Sequence, residues 1–174
     1  RGPVAMSMIS TLLLVQADPG VRAALQLGFE REGVEVVVAD SDGVAAAIAE
    51  SRPQLVVTGA PSESEALEAL GSVRAALADA ELDTPVLYLG NGVRRDRALA
   101  EGAAEVVDPP AIVRDVVTLG FLVAGRKNGE PSLWIGKLAD HGGLYYLLRA
   151  ISAARKRCVL TLTRGLRRGE LRFY

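Results

Sequence analysis

The 174-residue chain has one cysteine, Cys158, and one histidine, His141. A single cysteine excludes an intramolecular disulfide and fits a reducing compartment. One of each also leaves too few ligands to close a zinc site. No apolar run approaches the roughly 20 residues that cross a bilayer. The opening "RGPVAMSM" has neither an apolar h-region nor a cleavage site, so no signal peptide is read there. The expected location is therefore cytoplasmic, without membrane insertion, and the natural start is expected at Met6 or Met8. "LGNGVRR" places glycines at 90 and 92 before a helix, yet GxGxxG and a P-loop lysine are both missing. Those glycines read as turn residues, and no cofactor is expected.

What is present is an ordinary globular composition, about half apolar and a quarter charged (49% and 24%), with few aromatics (5%). The net charge of −1 hides a division. Residues 1–125 carry nine basic and eighteen acidic side chains, a net −9. Residues 126–174 carry eleven and three, a net +8. Such asymmetry points to two modules with different surfaces. The boundary falls at "GRKNGEPS", where Gly, Asn, Pro and Ser cluster as in linkers. The expected division is a first domain over 9–125, a linker over 126–132 and a second segment over 133–174.

The first module alternates two patterns. Residues 11–15, 34–39, 54–59, 85–90 and 104–108 are short, apolar and rich in β-branched side chains, bounded by Gly, Pro or Asp. Near-continuous apolar runs fit strands covered on both faces, as in a parallel sheet. Amphipathic stretches at 19–32, 42–51, 63–80, 93–101 and 110–124 lie between and after them. In the first, Val21, Ala24, Leu25, Gly28 and Phe29 recur at helical spacing. Five strand–helix repeats predict an α/β fold with a doubly wound, five-stranded parallel sheet.

The second segment predicts a C-terminal helix over 140–154, with Leu144, Leu147, Leu148 and Ile151 on its apolar face. "CVLTLT" and "ELRFY" then alternate as hairpin strands around a loop, "RGLRRG". A helix and a hairpin rarely bury enough surface to fold alone. The segment is expected either to pack on the first module or to belong to a larger domain. Trp134, Tyr145 and Tyr146 are expected to anchor it. Cys158 reads as a small buried hydrophobe and His141 as a cap or surface residue.

In "LLLVQADPG" the first strand runs into a turn and a helix, where α/β proteins place their chemistry. With "SRPQLVVTG", "TPVLYLGN" and "EGAAEVVDPP", this stretch resembles the receiver domain of bacterial response regulators. The resemblance spans residues 11–124 and implies a flavodoxin-like fold. It also locates five positions on which that family's chemistry depends. An acid pair that holds Mg²⁺ corresponds to Gln16 and Ala17. The phosphoacceptor aspartate corresponds to Gly59, the phosphoryl-binding Thr or Ser to Gly90, and the Lys to Pro109. Asp18, one place beyond the pair, reads as a helix cap. The resemblance therefore implies a pseudo-receiver, without metal ligands or catalytic residues. Its fourth helix is about one turn shorter than in the family, which alters the usual signalling face around Arg94, Arg95 and Arg97. An ordinary solvated helix is the equally weighted reading.

The tail "IGKLADHGGLYYLLRAISAARKRCVLTLTRGLRRGELRF" resembles the beginning of the PATAN domain, a module found beside receivers. Arg157 and Cys158 replace that pattern's TG. The expectation is a non-enzymatic adaptor of a bacterial two-component signalling pathway, acting on protein partners, with a homodimer as a further mode. Two alternatives stand beside it. Arg155, Lys156, Arg157, Arg164, Arg167 and Arg168 form a basic cluster that suits a partner surface, or nucleic acid as the less favoured ligand. A small molecule could instead occupy the crevice beside Gly59 and Gly90.

Overall fold

The computed structural model describes residues 9–90, 95–108, 111–124, 143–153 and 158–174. Arg94, Pro109, Trp134, His141, Arg155, Lys156, Arg157 and the 126–132 linker lie outside them.

Five parallel strands form one sheet: β1 (Thr11–Gln16), β2 (Glu35–Val38), β3 (Leu55–Gly59), β4 (Val86–Leu89) and β5 (Glu105–Val107). Their order is β2-β1-β3-β4-β5, the doubly wound arrangement that the alternating pattern predicts. The helices are α1 (Pro19–Glu30), α2 (Val44–Ser51), α3 (Glu63–Asp79), α4 (Arg95–Ala100) and α5 (Val113–Ala124). A short 3-10 turn, Ser41–Gly43, precedes α2. Asp18 starts α1, its Oδ1 accepting from the N–H of Gly20 at 2.8 Å and of Val21 at 2.9 Å. Ser62 starts α3, where its hydroxyl accepts from the Glu65 N–H and donates to the Glu65 carboxylate at 2.7 Å.

Alternation along the strands feeds two cores. Leu13, Val15, Val56, Tyr88 and Val106 pack against Ile48 of α2 and Leu70, Val73 and Leu77 of α3. Leu12, Leu14, Leu55, Val57 and Leu87 pack against Leu25 and Phe29 of α1 and Val116 and Val123 of α5. Leu12, Leu13 and Leu14 are all completely buried, which explains an apolar run without alternation. Each contributes about 1.5–3 kcal/mol by leaving water.

The C-terminal helix is α6 (Leu144–Ala153), which packs on α5 through Leu147, Ala150 and Ile151. Leu144 and Leu148 are only half-buried. An ion pair fastens the contact: Arg149 spans Asp115 with Nε 3.4 Å from Oδ1 and NH2 3.1 Å from Oδ2. Asp115 is buried, and its hydrogen bonds hold the guanidinium above its ordinary pKa. Tyr145 does not anchor the helix as expected, whereas Tyr146 reaches α5 through Arg114. Both tyrosines are exposed, packed edge to face on each other, with Arg149 over Tyr145 at 5.8 Å and Arg114 over Tyr146 at 5.5 Å. The buried contact is made by the aliphatic residues of α6, Leu147, Ala150 and Ile151.

A separate antiparallel hairpin follows, β6 (Cys158–Arg164) and β7 (Arg167–Phe173). Its loop is shorter than predicted. Arg164 pairs with Arg167, so only Gly165 and Leu166 turn, and Arg167, Arg168 and Gly169 belong to β7. Gly165 has φ 59°, the left-handed geometry wanted at the first position of a tight hairpin turn. Cys158, Leu160, Leu162, Leu171 and Phe173 share one face of this ribbon, and Cys158 is half-buried. No described hairpin residue belongs to either core. Among the described residues, no helix is long and apolar enough to cross a membrane.

Candidate functional site

The C-terminal ends of β1, β3 and β4 meet where strand order reverses, the crevice in which this topology binds ligands. Gln16, Gly59 and Leu89 stand in one register row across these strands. Gln16 is only 6% exposed, because its side chain folds inward across β3. A Cβ built on Gly59 would lie 2.8 Å from Gln16 Nε2, 3.0 Å from Leu89 Cβ and 3.1 Å from the Leu89 carbonyl. The carboxamide is held from its other end, where Gln16 Oε1 accepts from the Asp18 N–H at 3.2 Å. Gly59 therefore opens no space, contrary to the expectation of an emptied crevice. Its missing side chain is the condition for Gln16 to lie there.

The surrounding groups have little reactive chemistry. Ala17 is exposed and offers only a methyl, while Asp18 is committed to the α1 N-terminus. Gly90 is buried, with room for a Cβ at 3.5 Å from Val106 Cγ1 and from the Val107 carbonyl. Asp108 lies on the same side, Oδ1 3.8 Å from that position, and sequence reasoning did not single it out. Its place immediately before Pro109 was the available signal. A carboxamide, a methyl and a bare backbone do not fit Mg²⁺, which demands oxygen ligands in octahedral array. Among the described residues, no group of three or more His, Cys, Asp or Glu could hold a metal.

Beneath this row, Thr58 and Tyr88 are register partners facing the other core. Thr58 Oγ1 and Tyr88 OH are buried without a hydrogen-bond partner among the described residues. Burial pushes the Tyr88 phenol up to about 12, and the Glu63 carboxylate adds to the shift. Folding thus favours the neutral phenol. That stabilisation is complete below pH 10 and is lost as pH rises from 10 towards 12, where the unfolded chain ionises first. Two pKa units correspond to about 2–3 kcal/mol. Denaturant unfolding should therefore show Tyr88→Phe as stable as the parent at neutral pH, and more stable at pH 12. Parallel curves across that window would remove Tyr88 from the alkaline response.

The basic residues separate into different settings. Arg95 is not a free surface group. Its NH1 donates to the Val106 carbonyl at 3.0 Å and its NH2 lies 3.3 Å from buried Glu105, so it seals the outer edge of β5. Arg97 is exposed and pairs with Glu63 at 3.7 Å. Arg164, Arg167 and Arg168 are exposed on the hairpin, Arg168 paired with Glu170 at 2.8 Å. The α4 and hairpin arginines thus belong to two sets in different parts of the fold, one of them already engaged with the first module.

Comparison with known proteins matches this architecture. No protein-family model matches the sequence, and no curated protein matches it significantly. Solved structures do. A response regulator from Thermotoga maritima superposes with a TM-score of 0.58 at 18% identity, covering 68% of this chain and 100% of that one. The receiver domain of NtrX from Brucella abortus gives 0.55 at 20% identity, covering 67% and 99%. The receiver domain of a sensor histidine kinase from Pseudomonas aeruginosa, solved with magnesium in its active-site cleft, gives 0.56 at 16% identity, covering 68% and 100%. The fold of the first module is that of these receiver domains.

Proposed function

We propose that this chain is a non-enzymatic signalling adaptor, a receiver-fold module without phosphorylation chemistry joined to the front of a PATAN-like domain. One observation carries the reading. The row where a phosphoacceptor carboxylate would stand holds Gly59, and the Gln16 carboxamide lies across it. Phosphoryl transfer to a carboxylate needs a nucleophile and charge stabilisation at the transferred group. Gln16, Ala17 and Gly59 supply neither. Signalling through such a module works by folded surfaces, in a bacterial pathway and in the cytoplasm, and is set by partner availability or assembly.

Incubation with a small-molecule phosphodonor and Mg²⁺ should leave the intact mass of the full chain unchanged. Stable or hydrolysable phosphate on any carboxylate of the strand ends would overturn the proposal. A second reading rests on the exposed hairpin arginines, which suit phosphates. It requires duplex binding that weakens steeply with salt, whereas protein capture by the full chain should survive nuclease treatment.

A further inference from the structure

The two edges of the sheet are treated differently. At β5, Arg95 covers the outer backbone, its NH1 donating to the Val106 carbonyl. At β2, no strand of the described residues pairs on the outer side. Glu35 and Ala39 donate inward to the carbonyls of Ser10 and Leu14, so the alternate residues Val36 and Val38 turn their N–H and C=O outward. Beside this edge, between β2 and α2, lies a groove of about 860 Å³. Glu35, Asp40, Asp42 and Glu50 line it together with Val37 and Val38, and no Lys or Arg does. Asp40 pairs with Arg22 at 3.2 Å. Glu35, Asp42 and Glu50 have no ion pair among the described residues.

The hairpin has the complementary features. Arg164, Arg167 and Arg172 are exposed and have no ion pair among the described residues. Arg164 and Arg167 form a hydrogen-bonded pair next to the two-residue turn. Pairs along the ribbon alternate from there, so Arg168, Glu170 and Arg172 present free backbone groups on the outer side of β7. Half-buried Leu160, Leu162 and Phe173 and exposed Leu171 give the ribbon an apolar face outside both cores.

We propose that β7 of a second copy of this chain adds to the β2 edge, with Arg164 and Arg167, which share the apolar face of the ribbon, turned to the groove carboxylates. Main-chain pairing would supply affinity, and the charges would select the partner. Two β2 edges would bring like charges together, which disfavours pairing of the same edge with itself. An acidic edge therefore selects a basic strand. Each chain carries one groove and one hairpin, so reciprocal exchange closes a two-fold dimer with both surfaces used.

This inference deepens the adaptor reading by naming one of its surfaces. It is read by mass in solution rather than by phosphate uptake, so either can fail alone. Sedimentation of the full chain across a concentration series should show a dimer at low salt that dissociates at high salt. Glu35→Lys with Asp42→Lys, and separately Arg164→Glu with Arg167→Glu, should each weaken dimerisation more than about tenfold. All four positions are exposed, so the unfolding curves should be unchanged. Mixing the two variants restores opposite charges at both contacts and should give a one-to-one heterodimer. A chain that stays monomeric at low salt, variants that still self-associate, or a mixture that stays monomeric would each overturn the proposal. So would a monomer that binds duplex DNA through the hairpin instead.

Discussion

Gly59→Asp is expected to cost stability, about 1–3 kcal/mol, and to restore no phosphate uptake. The new Cβ would enter contacts of 2.8 Å to Gln16 Nε2 and 3.0–3.1 Å to Leu89. Overpacking of this kind forces neighbours off their rotamers or moves backbone. The two obstacles differ. Gln16 meets the new atom with the far end of a flexible side chain, which can swing away by losing its bond to the Asp18 N–H. Leu89 meets it with a buried strand that pairs with β3 and β5, and it cannot retreat without disturbing both ladders. The carboxylate would also be buried without a cation among the described groups around it, a further cost. Gln16→Ala should therefore recover part of the loss but not all of it. A coupling of about 1 kcal/mol between the positions is expected from a double-mutant cycle in urea. Strictly additive costs would mean that the glutamine does not occupy the row.

That site was only half legible in the sequence. The absence of acids at the strand ends could be read directly, residue by residue. The packing of Gln16 over Gly59 could not, because it depends on the register between β1 and β3. The sheet itself was legible because Leu12 to Val15 and Leu55 to Val57 are apolar without alternation, a pattern that few environments other than a doubly covered sheet satisfy. The hairpin loop was misjudged for the opposite reason. "RGLRRG" is polar and glycine-rich, so it looks like a loop, yet a two-residue turn at Gly165 leaves its arginines in a solvent-facing strand. Arg95 carries the same lesson. A charge on a short amphipathic stretch suggests solvent, and only the tertiary fold brings it to the Val106 carbonyl and Glu105.

Phe29→Ala should have the largest effect on stability, about 3–5 kcal/mol, from lost transfer energy plus the cavity left behind. Phe29 is completely buried on α1, and its ring sits 6.4 Å from that of Phe121 on α5. The helices approach closely because glycines stand at the contact. A Cβ on Gly120 would meet Phe29 Cζ at 3.0 Å and Leu55 Cδ2 at 2.9 Å, and one on Gly28 would meet Val113 Cγ1 at 2.5 Å. Gly120→Ala alone is thus an overpacking change, costing about 1–3 kcal/mol. The two substitutions act on the same volume with opposite signs. In the Phe29→Ala background the added methyl enters space that the ring has vacated, while Leu55 still opposes it. Gly120→Ala should then cost distinctly less than it does in the parent. For a chain of this size Phe29→Ala lowers Tm by roughly 10 °C. Because α6 packs on α5 through Ala150, in the same core as Phe29, loosening this layer should also release the C-terminal helix. Limited proteolysis would detect that as faster cleavage near Tyr145 and Arg149 in Phe29→Ala than in the parent. Unchanged cleavage, with the same loss of Tm, would show that α6 is held by the Arg149–Asp115 pair and not by the α1–α5 layer.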